Sequence, residues 1–238
     1  MERAAVRRRL NWGLARVVDV VDETARAKSL VLDPPGWPGH LAGQHVDVRL
    51  TAEDGYQAQR SYSIASAPED EHLVLTVERI DDGEVSPYLT GELHAGDELE
   101  LRGPIGGYFV WQESLGGPLL LVAGGSGVVP LRAMLRHHRA AGSTIPARLV
   151  YSARTQSDLL YRAELESFDT VVTLTREEWD GRTGRVGRDL LVEAGWPASE
   201  MPRVYVCGPT GFVEGVADAL VALGHDATHI RTERFGPT

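Results

Sequence analysis

Cysteine is all but missing from this chain: among 238 residues Cys207 stands alone. An intrachain disulfide, a four-cysteine zinc site and a cysteine-ligated iron–sulfur cluster held by this chain alone are excluded. A reducing cytoplasm is the expected setting. Long apolar runs are missing too. No stretch approaches the roughly 20 residues of a membrane span. The start, MERAAVRRRLNW, has arginines with no apolar stretch behind them, so no secretory signal is expected. Lysine is reduced to Lys28, and the other 23 basic residues are arginine, which reads as genome composition. There is no excess of positive charge either. The net charge of −10 argues against nonspecific nucleic-acid binding.

What is present suffices for a folded core, with 42% hydrophobic and 24% charged residues. The length suits one or two domains. Charge is uneven: residues 1–115 carry 11 basic against 20 acidic side chains, and residues 116–238 carry 13 against 14. The second half is therefore the better host for an anionic small ligand. The first half holds short apolar or alternating runs at 14–22, 28–33, 44–50, 58–64, 72–79 and 97–102, separated by Gly, Pro and acidic turns. These predict a six-stranded antiparallel barrel with one helical insert at 84–92. The second half alternates strands at 118–123, 147–152, 170–174, 203–207 and 228–231 with helices near 128–141, 158–167, 187–194 and 210–223. That rhythm predicts a five-stranded parallel α/β domain. Gly116-Gly117-Pro118 marks the boundary, giving domains 1–115 and 116–238.

Three motifs carry chemistry. The apolar strand 119–123 runs into Gly124-Gly125-Ser126-Gly127 and a helix able to start at Pro130. Glycines and free amides at a helix start admit a pyrophosphate. The spacing is not G-x-G-x-x-G, so by itself this reads equally as a tight strand–helix turn. On a barrel strand, Arg60 and Tyr62 share one face and Ser61 and Ser63 the other. They pair a phosphate-forking cation with a ring able to stack on a flat ligand. Downstream, Gly83-Glu84-Val85-Ser86 opens the helical insert and can offer amides and a hydroxyl to a second phosphate; a plain helix cap is the alternative. Finally, Cys207-Gly208-Pro209 ends a parallel strand at the sheet edge where ligands bind. Cys207 reads otherwise as a small buried hydrophobe.

Taken in order, RSYS at 60–63, GEVS at 83–86, GPIGGYF at 103–109, GGSGVVP at 124–130, CGP at 207–209 and the Glu-x-aromatic tail at 233–235 resemble the ferredoxin–NADP⁺ reductase family over nearly the whole chain. The resemblance implies an FAD-dependent oxidoreductase without an iron–sulfur domain, moving electrons between NAD(P)H and a one-electron acceptor. A separate redox protein is implied as that acceptor: ferredoxin, flavodoxin or an oxygenase component. The alternative is an electron-relay subunit of a larger complex. Arg60 would pair with the FAD pyrophosphate, Tyr62 stack on the isoalloxazine, and Ser63 lie near its N5. Ser61, Val77, Arg79 and Gly83, Glu84, Val85 and Ser86 would complete the flavin site. Gly124, Gly125, Ser126 and Gly127 would cradle the nicotinamide nucleotide, with Gly208 and Pro209 beside it. Cys207 would lie near the nicotinamide C4, Glu233 near the flavin edge, and Phe235 over the other flavin face. Ser63, Cys207 and Glu233 are thus the expected catalytic residues. The chain departs from plant-type members by three further residues, Gly236-Pro237-Thr238.

Coenzyme choice is read from arginines. Ser152 and Arg154 end the second parallel strand, where an acidic residue would favour a free ribose 2′-hydroxyl. With Arg176 and Arg185 they resemble the positions used by NADPH-dependent bacterial members, so NADP is expected, with NAD the alternative. No metal site is expected, because His137 and His138 are adjacent on a helix. His45 is assigned to packing or hydrogen bonding rather than catalysis, Glu69-Asp70-Glu71 to a solvated turn, and Arg7-Arg8-Arg9 to a basic arm. A monomer is expected.

Overall fold

The computed structural model describes residues 10–236, so the Arg7–Arg9 arm and the last two residues fall outside the described residues. The first half forms a six-stranded antiparallel sheet from β1 (Gly13–Thr24), β2 (Ala27–Asp33), β3 (His45–Thr51), β4 (Gln57–Ser63), β5 (Leu73–Glu78) and β6 (Glu98–Ile105), in the order β4-β3-β6-β1-β2-β5. An Ile64–Leu75 bridge joins the two edges and makes the sheet a barrel. Period-two alternation turns Val46 and Val48, Leu30 and Leu32, Leu75 and Val77, and Leu99 and Leu101 inward. The helix α1 (Ser86–Gly91) plugs the barrel, with Val85 and Leu89 in its core. β1 outruns the expected 14–22 because two register shifts, at Val17/Asp19 and Asp22/Thr24, bend it so that it pairs with both β2 and β6.

The second half contains β7 (Leu119–Gly124), α2 (Val128–Ala140), β8 (Ala147–Ala153), α3 (Arg162–Leu165), β9 (Thr170–Leu174), β10 (Arg182–Thr183), α4 (Arg188–Ala194), β11 (Arg203–Pro209), α5 (Thr210–Ala222) and β12 (Ile230–Phe235). The strands form a parallel sheet in the order β10-β9-β8-β7-β11-β12. Both faces are covered. Leu119, Leu121 and Ala123 pack with Leu131 and Met134 of α2, and Leu120 and Val122 pack with Leu191 of α4 and Val213, Val216 and Leu220 of α5. The expected five strands become six. β10 is two residues long, too short to leave a periodic pattern, and it exists because the loop after β9 turns back beside Thr173 and Leu174. The helix expected over 158–167 is also shorter. A 3-10 turn at Gln156–Asp158 and a left-handed Tyr161 leave only four α-helical residues.

The two sheets share one core. Ala27, Ala42 and Ala65 of the barrel half lie in the same buried cluster as α2 and β7. Polar contacts reinforce this. Arg136 donates to both Asp70 oxygens at 2.9 and 2.7 Å and to Glu164 at 2.7 Å, while Arg132 reaches Glu164 at 2.6 Å and the Ala65 carbonyl at 3.2 Å. Tyr161 donates to Thr76 across the same seam. Glu69-Asp70-Glu71 is therefore not a merely solvated turn. Asp70 is held by Arg136 and Glu69 by His137 at 2.7 Å, because the turn lies under α2. Among the described residues no helix is long and apolar enough to cross a membrane, and no group of His, Cys, Asp and Glu is arranged to hold a metal.

Candidate active site

The carboxyl ends of the parallel strands open onto a cleft against the barrel. β7 delivers Gly124, Gly125 and Ser126; β8 delivers Ser152, Ala153 and Arg154; Pro209 ends β11 and Phe212 lies in the first turn of α5; and Phe235 ends β12. The opposite wall is barrel: Thr24, Arg26, Ala27 and Glu78. The glycines of the β7–α2 turn have separate jobs. A Cβ on Gly127 would overlap the Cys207 carbonyl oxygen, and one on Gly124 or Gly208 would meet the Phe212 ring at 2.8 Å. Those three let β7, α2 and β11 close on one another. Gly125 has φ +56° with open space where a Cβ would stand. Its freedom leaves room in the cleft, as a phosphate cradle requires.

Beside this cleft four strands bring together a polar cluster. β3 pairs His45 with Ser63 of β4, and β11 pairs Cys207 with Ala123 on one side and Glu233 on the other. His45 Nδ1 lies 3.9 Å from Glu233 Oε1, and Glu233 Oε2 is buried with no partner among the described residues. Burial pushes the Glu233 carboxyl up to about 7. Burial, followed by the nearby Glu233 carboxylate, lifts the Cys207 thiol well above its ordinary value, so it stays neutral. Burial also lowers the His45 imidazole, against an opposing pull from Asp47. Asp47 is itself held by Ser61 at 2.6 Å and Arg102 at 2.6 Å. The sequence assigns His45 to packing or hydrogen bonding rather than catalysis. A strand register that pairs it with Ser63 is the signal that could have drawn attention to it.

The other expected residues divide by location. Tyr62 packs against the barrel core, and burial raises its hydroxyl to about 12 against an opposing pull from Arg60. Arg60 is exposed, donating to Glu84 at 2.8 Å and to the Gln59 carbonyl at 2.7 Å. Ser86 is not a helix cap. Its hydroxyl oxygen accepts the Ile80 amide at 3.0 Å, which leaves its proton to donate. Val77 points into the barrel core. Arg79 lies near Gly91, at the end of α1 remote from Ser86. Of the three arginines expected to favour NADP, Arg154 lines the cleft and its carbonyl accepts the Arg176 amide at 2.9 Å. Arg185 lines a separate recess with Thr173, Arg182 and Arg188. Sequence reading missed Arg26, Glu78, Thr175 and Phe212 of the cleft lining, because none stands in a motif.

These residues fit a flavin dinucleotide and a pyridine nucleotide in kind: an exposed arginine, a half-buried ring, an open glycine turn and an unpartnered buried carboxylate oxygen. Comparisons with known proteins agree. A family model described as "Oxidoreductase FAD-binding domain" matches residues 18–110, and one described as "Oxidoreductase NAD-binding domain" matches residues 121–218. The chain is 32% identical to the glycine betaine monooxygenase reductase subunit of Chromohalobacter salexigens over 94% of its own length, but spans only 64% of that protein. The FAD/NAD-binding domain of a nitric oxide dioxygenase from Vibrio cholerae superposes with a TM-score of 0.84 at 26% identity, covering 94% of this chain and 99% of that one. Ferredoxin–NADP reductase B of Sorangium cellulosum is 36% identical over 82% of this chain and 84% of its own length. With both domain matches in series and a relative of that extent, the chain belongs to the ferredoxin–NADP⁺ reductase family of FAD- and NAD-binding oxidoreductases.

Proposed function

We infer that this protein is an NAD(P)H-dependent flavoprotein reductase that passes electrons to a separate redox protein. Residues 1–115 serve as the flavin domain and 116–238 as the nucleotide domain. The observation that carries the reading is the convergence of Ser63, His45, Cys207 and Glu233 beside a cleft floored by the Gly124–Ser126 turn. When bound, FAD supplies two-electron acceptance from a nicotinamide and release of electrons one at a time. The chain's own residues bind, orient and hold protons. Arg60 would exchange Glu84 for a pyrophosphate, assisted by the amides of 84–86 and the Ser86 hydroxyl proton, while the Gly83 amide is held by the Ile80 carbonyl at 2.9 Å. Tyr62 and Phe235 offer rings to the two faces of a flat cofactor. Cys207, small and kept neutral by burial, permits close approach of a nicotinamide without adding charge. Glu233, poised near neutral pH, can hold or release a proton beside His45.

NADPH is the favoured coenzyme in this reading. Arg154 and Arg176 lie together at the end of β8 and the loop after β9, where a 2′-phosphate would gain paired N–H donors. Relatives named as reductase subunits of monooxygenases support an oxygenase component as the acceptor, and support equally the role of subunit in an assembly. The test is anaerobic titration of the FAD-loaded protein. NADPH should bleach the flavin absorbance at lower concentration than NADH, and the double variant Arg154→Ala, Arg176→Ala should remove that difference. Each lost contact costs about 1–3 kcal/mol. A protein that retains no flavin, or is not reduced by either coenzyme, overturns the reading.

A further inference from the structure

The barrel wall of the cleft holds a cation that the flavin and nucleotide motifs leave unused. Thr24 pairs with Ala27, so Ala25-Arg26 is the two-residue tip of the β1–β2 hairpin. The tip is pinned to the end of β5. The Arg26 carbonyl accepts the Arg79 amide at 2.7 Å, and its guanidinium donates to the Arg79 carbonyl at 2.9 Å and to Asp81 at 3.1 Å. Pinning fixes the backbone, but the side chain is 51% exposed. Arg26 lines the same cleft as Gly124, Ser126 and Arg154, from the opposite side. Its neighbour on that wall is Glu78, which pairs with Ala27 across β2–β5 and has no ion pair among the described residues. Without Arg26 the barrel would turn a lone carboxylate toward an anionic ligand. A half-exposed arginine on a pinned tip, paired with an exposed aspartate, is well suited to change partners.

We propose that Arg26 is a coenzyme-binding residue contributed by the flavin domain. Its guanidinium leaves Asp81 for the dinucleotide's pyrophosphate, which is then gripped between the β1–β2 tip and the β7–α2 turn. This rests on the reading that the cleft takes a pyridine nucleotide. Because pyrophosphate is common to both coenzymes, Arg26 strengthens NADPH and NADH binding alike, whereas Arg154 and Arg176 discriminate between them. Loss of Asp81 removes the competing partner.

The experiment uses FAD-loaded protein and the non-reducing probes NADP⁺ and NAD⁺, with dissociation constants from flavin difference spectra and from calorimetry. Arg26→Ala should weaken both probes about tenfold, Arg26→Lys should recover part of the loss, and Asp81→Asn should bind both as tightly as wild type or tighter. Flavin content and melting temperature should match wild type in Arg26→Ala, which separates a ligand contact from a structural one. If Arg26→Ala binds both probes within twofold of wild type while Arg154→Ala weakens NADP⁺, the Arg26 inference falls and the functional reading stands. If wild type binds neither probe, the functional reading falls with it. A tenfold loss confined to NADP⁺ would also overturn the proposal, because it would assign Arg26 to the 2′-phosphate.

Discussion

Glu233 shows what a single side chain gains from its surroundings. On an exposed tail a glutamate titrates near its ordinary value of 4.5; on β12, beside Cys207 and 3.9 Å from His45, burial lifts it to about 7. Between those two pH values the folded chain binds a proton that the unfolded chain has released. Stability therefore falls as pH rises through that window and is level above it. Glu233→Gln keeps the shape and deletes the titration. In urea melts of the flavin-free protein, the variant should exceed wild type by about 2–3 kcal/mol at pH 8, with the gap closing toward pH 5. A gap independent of pH would assign the effect to packing. In the loaded enzyme, a pH–rate limb near neutrality should disappear in the same variant.

Among the elements, the β7–α2 turn separates packing from ligand binding within a few residues. Gly127→Ala should lower stability by about 1–3 kcal/mol or more, because its Cβ has only the Cys207 carbonyl to move into. Gly125→Ala meets no atom and should cost only about 1–2 kcal/mol for its left-handed backbone. Its methyl group stands in the open cleft, so NADP⁺ binding should weaken while flavin content is unchanged. Thermal melts and nucleotide titrations of the two variants should give opposite rankings: Gly127→Ala worse in stability, Gly125→Ala worse in binding relative to its stability.

For the whole molecule, the two sheets share one buried cluster and line one cleft. The clamp of Arg132 and Arg136 on Asp70, Glu164 and the Ala65 carbonyl joins α2 to the barrel and to α3. The Arg136 side chain is 33% exposed, so the interaction is partly screened, and Arg136→Ala should cost about 1–2 kcal/mol. The larger effect should be kinetic. Flavin anchored by Arg60 and Tyr62 of the barrel should stay bound, while the rate of flavin reduction by NADPH should drop severalfold, because the nucleotide half no longer meets the barrel in one orientation. Stopped-flow reduction and flavin content, measured together, check this. Equal loss of both would show that the clamp supports the barrel itself.

Much of the architecture was legible in the chain. All six barrel strands and five of the six parallel strands were foreseen, since alternation and buried apolar runs are imposed by which faces must leave water. The glycine turn at 124–127 and the Cys207-Gly208-Pro209 strand end were readable because each is a local backbone requirement. The two-residue β10 and the shortened α3 were not, because neither is long enough to show a period and each depends on a loop packing against β9 or the barrel. Nor could the chain reveal that Asp70 lies under Arg136, that His45 faces both Ser63 and Glu233, or that Arg26 joins Gly124 and Arg154 around one cleft. Asp70 and Arg136 are 66 positions apart in sequence, His45 and Glu233 188, and Arg26 is 98 from Gly124 and 128 from Arg154. Local pattern specifies which face of an element is buried. Strand order and the docking of two sheets determine what that element meets, and here the cleft is lined from both sheets.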